Sequence, residues 1–149
     1  MRPSLGIRPA EAFGRLCAQR IAGRITGDSG STEMAGRVKD LVGDRRCMVV
    51  LDSDHTAKHV ADEIALYGPL VSVGCHLVVE DGIVRWLSDL LFANGGPLDA
   101  VETLLAGNDE WDRNIYIERM FSVSMHPAGW WRRVSAGPGG AAGRNSGRT

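Results

Sequence analysis

Two short apolar stretches stand out along the chain. The first, Cys47-Met48-Val49-Val50-Leu51, is unbroken, and the second, Cys75–Val79, is interrupted only by His76. Runs of this length without alternation predict strands covered on both faces. Between them the apolar positions switch to helical spacing. Val60, Ile64 and Tyr67 fall at i, i+4 and i+7, which predicts a helix from about Thr56 to Tyr67, closed by Gly68-Pro69. Upstream, Ser31-Thr32 can cap a helix running to about Val42, with Met34, Val38 and Leu41-Val42 on one face and Gly43 as its stop. Downstream, Val101, Leu104 and Leu105 predict a helix over Leu98–Ala106. Met120–Met125 reads as a strand, and Trp130-Trp131 opens another short one. Residues 1–24 show only weak helical periodicity, over Glu11–Ile21, and the chain has no internal repeat. Strand, helix, strand, helix predicts the α/β class, with a parallel sheet carrying helices on its faces. Such sheets bind ligands at the carboxyl ends of their strands.

Composition narrows this picture. The chain has 149 residues, 44% of them hydrophobic and 23% charged, which suffices for one core and hardly for two. No apolar stretch approaches the roughly 20 residues of a membrane-spanning helix. No apolar run follows Met1-Arg2-Pro3, so a secretory signal is not expected. Ser135–Thr149 has five glycines and no large apolar side chain, and is expected to be disordered. It carries two of the seventeen basic residues and no acid, which leaves the rest mildly acidic. That balance argues against a general nucleic-acid binder, whose phosphate contacts need clustered positive charge. Three widely spaced cysteines, Cys17, Cys47 and Cys75, form no CxxC and no disulfide framework. They fit a reducing, cytoplasmic setting, with Cys47 and Cys75 as small buried hydrophobes inside strands.

The chemistry gathers at the strand ends. The first strand leads into Asp52-Ser53-Asp54-His55 and the second into Glu80-Asp81. Carboxylates side by side at one sheet edge repel each other unless a cation sits among them. Carboxylate oxygens without a thiol suit a hard ion such as Mg²⁺. The same residues also serve as helix caps, Asp54 ahead of Thr56 and Asp81 ahead of a following turn, and both readings stand on pattern. His55 can accept a proton from a substrate hydroxyl, or it can hydrogen-bond the loop backbone. His59, one turn further on, is expected at a solvent-facing position. His76, within a strand, and His126, before a proline, are expected to be structural or surface residues. There is no two-histidine, one-carboxylate iron pattern.

The stretch VVLDSDHTAKHVADEIALYGPLVSVGCHLVVEDGIV resembles the core of the cephalosporin hydroxylase and rhamnosyl O-methyltransferase family. GGPLDAVETLLAGNDEW and HPAGWWRRV resemble its downstream segment, so the likeness spans roughly residues 21–134. The resemblance implies a Rossmann-like S-adenosylmethionine (SAM) methyltransferase fold, with Mg²⁺ as a second cofactor. It places the metal ligands on Asp52, Glu80 and Asp81 and the base on His55, and gives no role to Asp54. Ile25-Thr26-Gly27-Asp28-Ser29 resembles the family's adenine-contacting strand end, with the Asp28 carboxylate and the Ser29 N–H as contacts; it also reads as a turn ahead of a helix.

The amino end departs from that pattern. A SAM site of this kind begins with a strand, a glycine-rich turn and a second strand ending in an acid that holds the ribose. Leu5-Gly6-Ile7-Arg8-Pro9 aligns with the end of that second strand, with Gly6 where the acid is expected. The expectation is an amino-terminally truncated domain over residues 1–134, followed by the tail at 135–149. The leading function is a Mg²⁺-dependent SAM O-methyltransferase of a sugar or natural-product hydroxyl. Its partner would be a small-molecule acceptor rather than a nucleic acid or a membrane span, and homo-oligomers remain open. The alternative is a non-catalytic remnant or interaction module whose free sheet edge pairs with another chain.

Overall fold

A computed structural model describes residues 24–87, 95–120 and 124–137. The expectations for the arginine-rich amino end and for the tail lie almost wholly outside these residues. Helix α1 (Thr32–Val42) is capped by Ser31, whose hydroxyl accepts from the Met34 N–H at 3.2 Å. It stops at Gly43, whose φ of 53° a side chain would resist. Strand β1 (Val49–Leu51) follows, then helix α2 (Ala57–Tyr67), which Thr56 caps. Gly68–Leu70 tightens into a 3₁₀ turn, because Pro69 cannot continue the α-helical ladder. Strand β2 (His76–Val79) leads to a one-turn helix α3 (Val84–Leu87). Helix α4 (Pro97–Leu104) begins at a proline, and the Asp99 carboxylate takes the Gly96 N–H at 2.8 Å. Strand β3 (Trp111–Arg113), helix α5 (Ile115–Arg119) and strand β4 (Trp130–Arg133) complete the order.

The fold is α/β, as the pattern predicts, but the sheet is mixed. Its order is β1-β2-β4-β3, with β1 and β2 parallel and the β2–β4 and β4–β3 pairs antiparallel. The β1–β2 crossover carries helix α2 and so must be parallel. Strand periodicity shows which face is buried and not which way a strand runs, so the antiparallel direction of the later pairs is decided by tertiary contacts. Two strand expectations change. Met120 ends the α5 turn, and neither it nor Ser124-Met125 is extended in a ladder; residues 121–123 lie outside the described residues. β1 is covered on one face only and is one of the two edge strands among the described residues. Val50 is 49% exposed, its neighbour Met48 is 52% exposed, and Leu41 of α1 is also open. Cys47 and Cys75 are free thiols just ahead of β1 and β2, half-buried rather than buried.

The core lies between the sheet and α2 with α4. Leu77 and Val79 of β2 pack with Val60, Ile64, Tyr67, Leu98, Val101 and Leu105. Val78 and its register partner Val50, one position out of phase, point to the opposite face. Arg133 ties β4 to the chain ahead of β2, donating to the carbonyls of Pro69 and Val71 at 2.9 and 2.8 Å and pairing with Glu110. The sheet thus sets the carboxyl ends of β1 and β2 side by side, with Leu51 in register with Val79 and the Glu80 N–H donating to the Leu51 carbonyl at 3.0 Å.

Candidate active site and metal centre

Those two strand ends deliver the acidic loops to one place. Asp52 and His55 leave β1, and Asp81 leaves β2. One ligand atom from each lies within 4.8 Å of the other two. His55 Nε2 is 3.5 Å from an Asp52 oxygen and 3.2 Å from an Asp81 oxygen. The nitrogen is buried but forms no aligned hydrogen bond with either carboxylate. Both His55 and Asp81 are a little over a quarter exposed and Asp52 is 59% exposed, so the cluster opens to solvent on the β1 side. Among the described residues this is the group with a metal-chelating arrangement. Glu80, a ligand by resemblance, does not belong to that group; its backbone joins the end of the β1–β2 ladder instead.

The two loops are held by different means. In the first, Asp54 Oδ1 accepts the Thr56 N–H at 2.9 Å, and that bond holds the exposed Asp54 carboxyl below its ordinary value. The α2 cap is Thr56 rather than Asp54, and Asp54, two residues ahead of it, holds the cap residue's N–H. In the second, Asp81 adopts φ 52°, in the left-handed region, and its N–H donates to His126 Nδ1 at 3.0 Å. Facing it, the turn His126–Gly129 holds a second left-handed non-glycine, Ala128 at φ 54°. The buried Trp131 indole donates to the Ala128 carbonyl at 2.6 Å. A Cβ on Gly82 would come within 2.9 Å of the Pro127 carbonyl oxygen, and one on Gly129 would collide with the Val79 carbonyl oxygen. Left-handed non-glycine residues cost about 1–3 kcal/mol each and persist where surrounding structure over-determines them. Two of them face to face beside a chelating cluster mark a place where geometry is fixed against local preference.

The Asp28–Ser29 segment sits beside α2. Asp28 Oδ1 accepts the Gly30 N–H at 2.9 Å and its carbonyl takes the Ser31 hydroxyl, so the turn reading of this segment has structural content. Ser29 is gripped by α2, with its hydroxyl 3.1 Å from His59 Nε2 and its carbonyl accepting from the Tyr67 hydroxyl at 2.8 Å. His59 is therefore turned inward, against expectation. His76 has a structural role: Asn114 Oδ1 caps α5, so its amide Nδ2 is left to donate to His76 Nε2 at 3.0 Å. Burial, with help from Arg132, pushes the His76 pKa below its ordinary value.

The profile of the rhamnosyl O-methyltransferase/CmcI family matches residues 14–134. The chain belongs to this family. Rhamnosyl O-methyltransferases of Mycobacterium tuberculosis strain H37Rv and of Mycobacterium bovis BCG are each 40% identical to it over 57 residues, covering 38% of this chain and 23% of theirs. The Mycobacterium leprae rhamnosyl O-methyltransferase is 39% identical over 57 residues, covering 25% of its own length. The chain thus spans about a quarter of the curated relatives it matches. No solved structure matches it. Among the described residues, no helix is long and apolar enough to cross a membrane.

Proposed function

We propose that this member of the rhamnosyl O-methyltransferase/CmcI family carries the metal-binding and proton-accepting residues of a Mg²⁺-dependent SAM O-methyltransferase site on a Rossmann-like sheet. Its acceptor would be the hydroxyl of a sugar or natural product. The observation that carries the reading is the convergence of Asp52, His55 and Asp81 within 4.8 Å at the ends of two parallel strands, with the His55 nitrogen unpartnered. The donor chemistry fits a hard divalent ion with few protein ligands. Asp52 and Asp81 would hold it, with Glu80, adjacent in the chain, as the third carboxylate. Bound there, Mg²⁺ would polarise the acceptor hydroxyl and lower the cost of its ionisation.

His55 Nε2, which has no hydrogen-bond partner, would then take the hydroxyl proton. SAM would supply the methyl group. The Asp28 carboxylate would accept from the adenine amine, and the Ser29 N–H would donate to the adenine ring. The orientation of that segment depends on the grip of His59 and Tyr67. In-line transfer tolerates little misplacement, about 1 Å costing about 100-fold.

Calorimetric titration of the purified chain with Mg²⁺ and with SAM tests the reading. Mg²⁺ binding that disappears in Asp52→Asn and in Asp81→Asn, with SAM binding weaker than Mg²⁺ binding, is expected. Absence of Mg²⁺ binding would remove the metal role, and absence of both would leave the assignments unsupported in this polypeptide. A second reading follows from the open face of β1, where Met48 and Val50 are half exposed at a sheet edge. This is a strand that pairs with another chain, and concentration-dependent association in solution would favour it.

A further inference from the structure

Glu63 is the charged residue that the described part of the chain buries, at 2% exposure, and neither the metal nor the proton-transfer role uses it. It sits on α2 between Val60 and Ile64, within the stripe that faces the core. A carboxylate taken out of water there is heavily disfavoured unless its oxygens are met by donors. One donor meets it, and a histidine nitrogen stands just beyond hydrogen-bond reach on the other side. Ser53, inside the Asp52–His55 loop, donates its hydroxyl to Oε2 at 2.8 Å. The other oxygen, Oε1, lies 3.6 Å from His59 Nε2, the nitrogen that also contacts the Ser29 hydroxyl. Tyr67, one further turn along, reaches the Ser29 carbonyl.

His59, Glu63 and Tyr67 recur every fourth residue and so line one side of the helix. Gly30 presses against that side, since a Cβ there would lie 3.0 Å from the His59 ring. The polar stripe of α2 therefore touches both the loop of Asp52 and His55 and the segment of Asp28 and Ser29, which are separate in sequence.

We propose that Glu63 is a positioning residue. Through Ser53 it fixes the loop that presents Asp52 and His55, and through His59 it keeps Ser29 in register with that loop. The inference rests on the metal-site reading above. The support is polar because loop backbone cannot be packed as an apolar wedge, whereas one buried carboxylate can accept from the Ser53 loop and stand beside the His59 ring that contacts Ser29. Outer supports of this kind typically change metal affinity by 10–100-fold when removed.

The test compares the unmodified chain with Ser53→Ala, Glu63→Leu, Glu63→Gln and the Ser53→Ala/Glu63→Leu double variant. Mg²⁺ affinity is measured by calorimetry, folding by thermal melts, and amide hydrogen exchange on the metal-free protein. Ser53→Ala, at an exposed loop position, should fold normally and bind Mg²⁺ about 10-fold more weakly. Glu63→Leu should do at least as much, and the double variant no more than Glu63→Leu alone, because the two residues share one interaction. Glu63→Gln, which keeps an oxygen for the Ser53 hydroxyl, should restore most of the affinity. Exchange should speed up at residues 52–55 in Ser53→Ala, and at both 28–30 and 52–55 in Glu63→Leu. Unchanged Mg²⁺ affinity and exchange in these variants, with only melting altered, would overturn the proposal and leave the metal site standing. Failure of the unmodified chain to bind Mg²⁺ would overturn the metal reading, and the exchange pattern alone would then decide whether Glu63 positions the two segments.

Discussion

The loop after β1 takes its support from the helix that follows it, whereas the loop after β2 takes its support from a turn 45 residues away. Ser53 reaches Glu63 and Asp54 reaches Thr56, all within one contiguous stretch. Asp81 instead relies on His126 Nδ1, on a backbone twisted into the left-handed region, and on glycines that let two chain segments touch. The two loops supply the same kind of group to the same cluster. Their difference shows that a carboxylate can be aimed either by local capping chemistry or by remote backbone closure. The second route stores strain and depends on parts of the chain that must already be folded.

The contrast breaks hardest at the point of remote closure. Gly129→Ala places a methyl against the Val79 carbonyl oxygen and disturbs the 2.9 Å bond from the Val79 N–H to the Gly129 carbonyl. The expected loss is about 3 kcal/mol in chemical denaturation. His126→Ala comes next. It leaves the Asp81 N–H without its acceptor, at about 1–3 kcal/mol, and should weaken Mg²⁺ binding. His126→Asn, which returns an acceptor oxygen near the Nδ1 position, should recover part of both losses. If His126→Ala melts like the unmodified chain, remote support of Asp81 is not what the geometry indicates.

Asp81→Gly sharpens the comparison in the opposite sense. Glycine adopts φ 52° without strain, so stability should rise, by about 0.5–1 kcal/mol, while Mg²⁺ binding is lost. The equivalent change at Asp52, where no left-handed residue needs relief, should bring no such gain.

The smallest effect concerns the far end of β2. His76 has a folded pKa below its ordinary value, so the neutral ring is the form that the fold favours. The associated stability is fully present above the unfolded value of about 6.5. It is lost as pH falls from there through the lower folded value, when the ring gains a proton and can no longer accept from Asn114. Melting temperatures from pH 7.5 down to 5 should decline in the native chain and decline less in His76→Gln.

Much of this was legible without coordinates. Helix α2 and strand β2 fall within a residue or two of their predicted limits, because Val60, Ile64 and Tyr67 have one spacing that buries them and because Gly68-Pro69 ends the ladder. The acidic strand ends were legible as a candidate site, since ligands gather where parallel strands stop. Glu63 was legible in principle too. An acid flanked by Val60 and Ile64, on the face that α2 must bury, is an inconsistency that a functional or positioning role resolves. Strand β4 was legible at Trp130-Trp131, but β3 was not, because Trp111–Arg113 carries no alternation, and the strand read over Met120–Met125 is not formed at Met120, Ser124 or Met125.

The sequence by itself determined helices α1, α2 and α4, strands β1, β2 and β4, and which chemical groups stand at the ends of β1 and β2, because these depend on spacing within a few residues. Tertiary structure alone decided that β4 runs antiparallel to β2, that β1 keeps an open face, and that ligand atoms of Asp52, His55 and Asp81 come within 4.8 Å of one another. It also decided the inward turn of His59 and the clasp of His126 on Asp81. Those outcomes depend on contacts between segments distant in sequence, and no local preference records which distant segment closes against which.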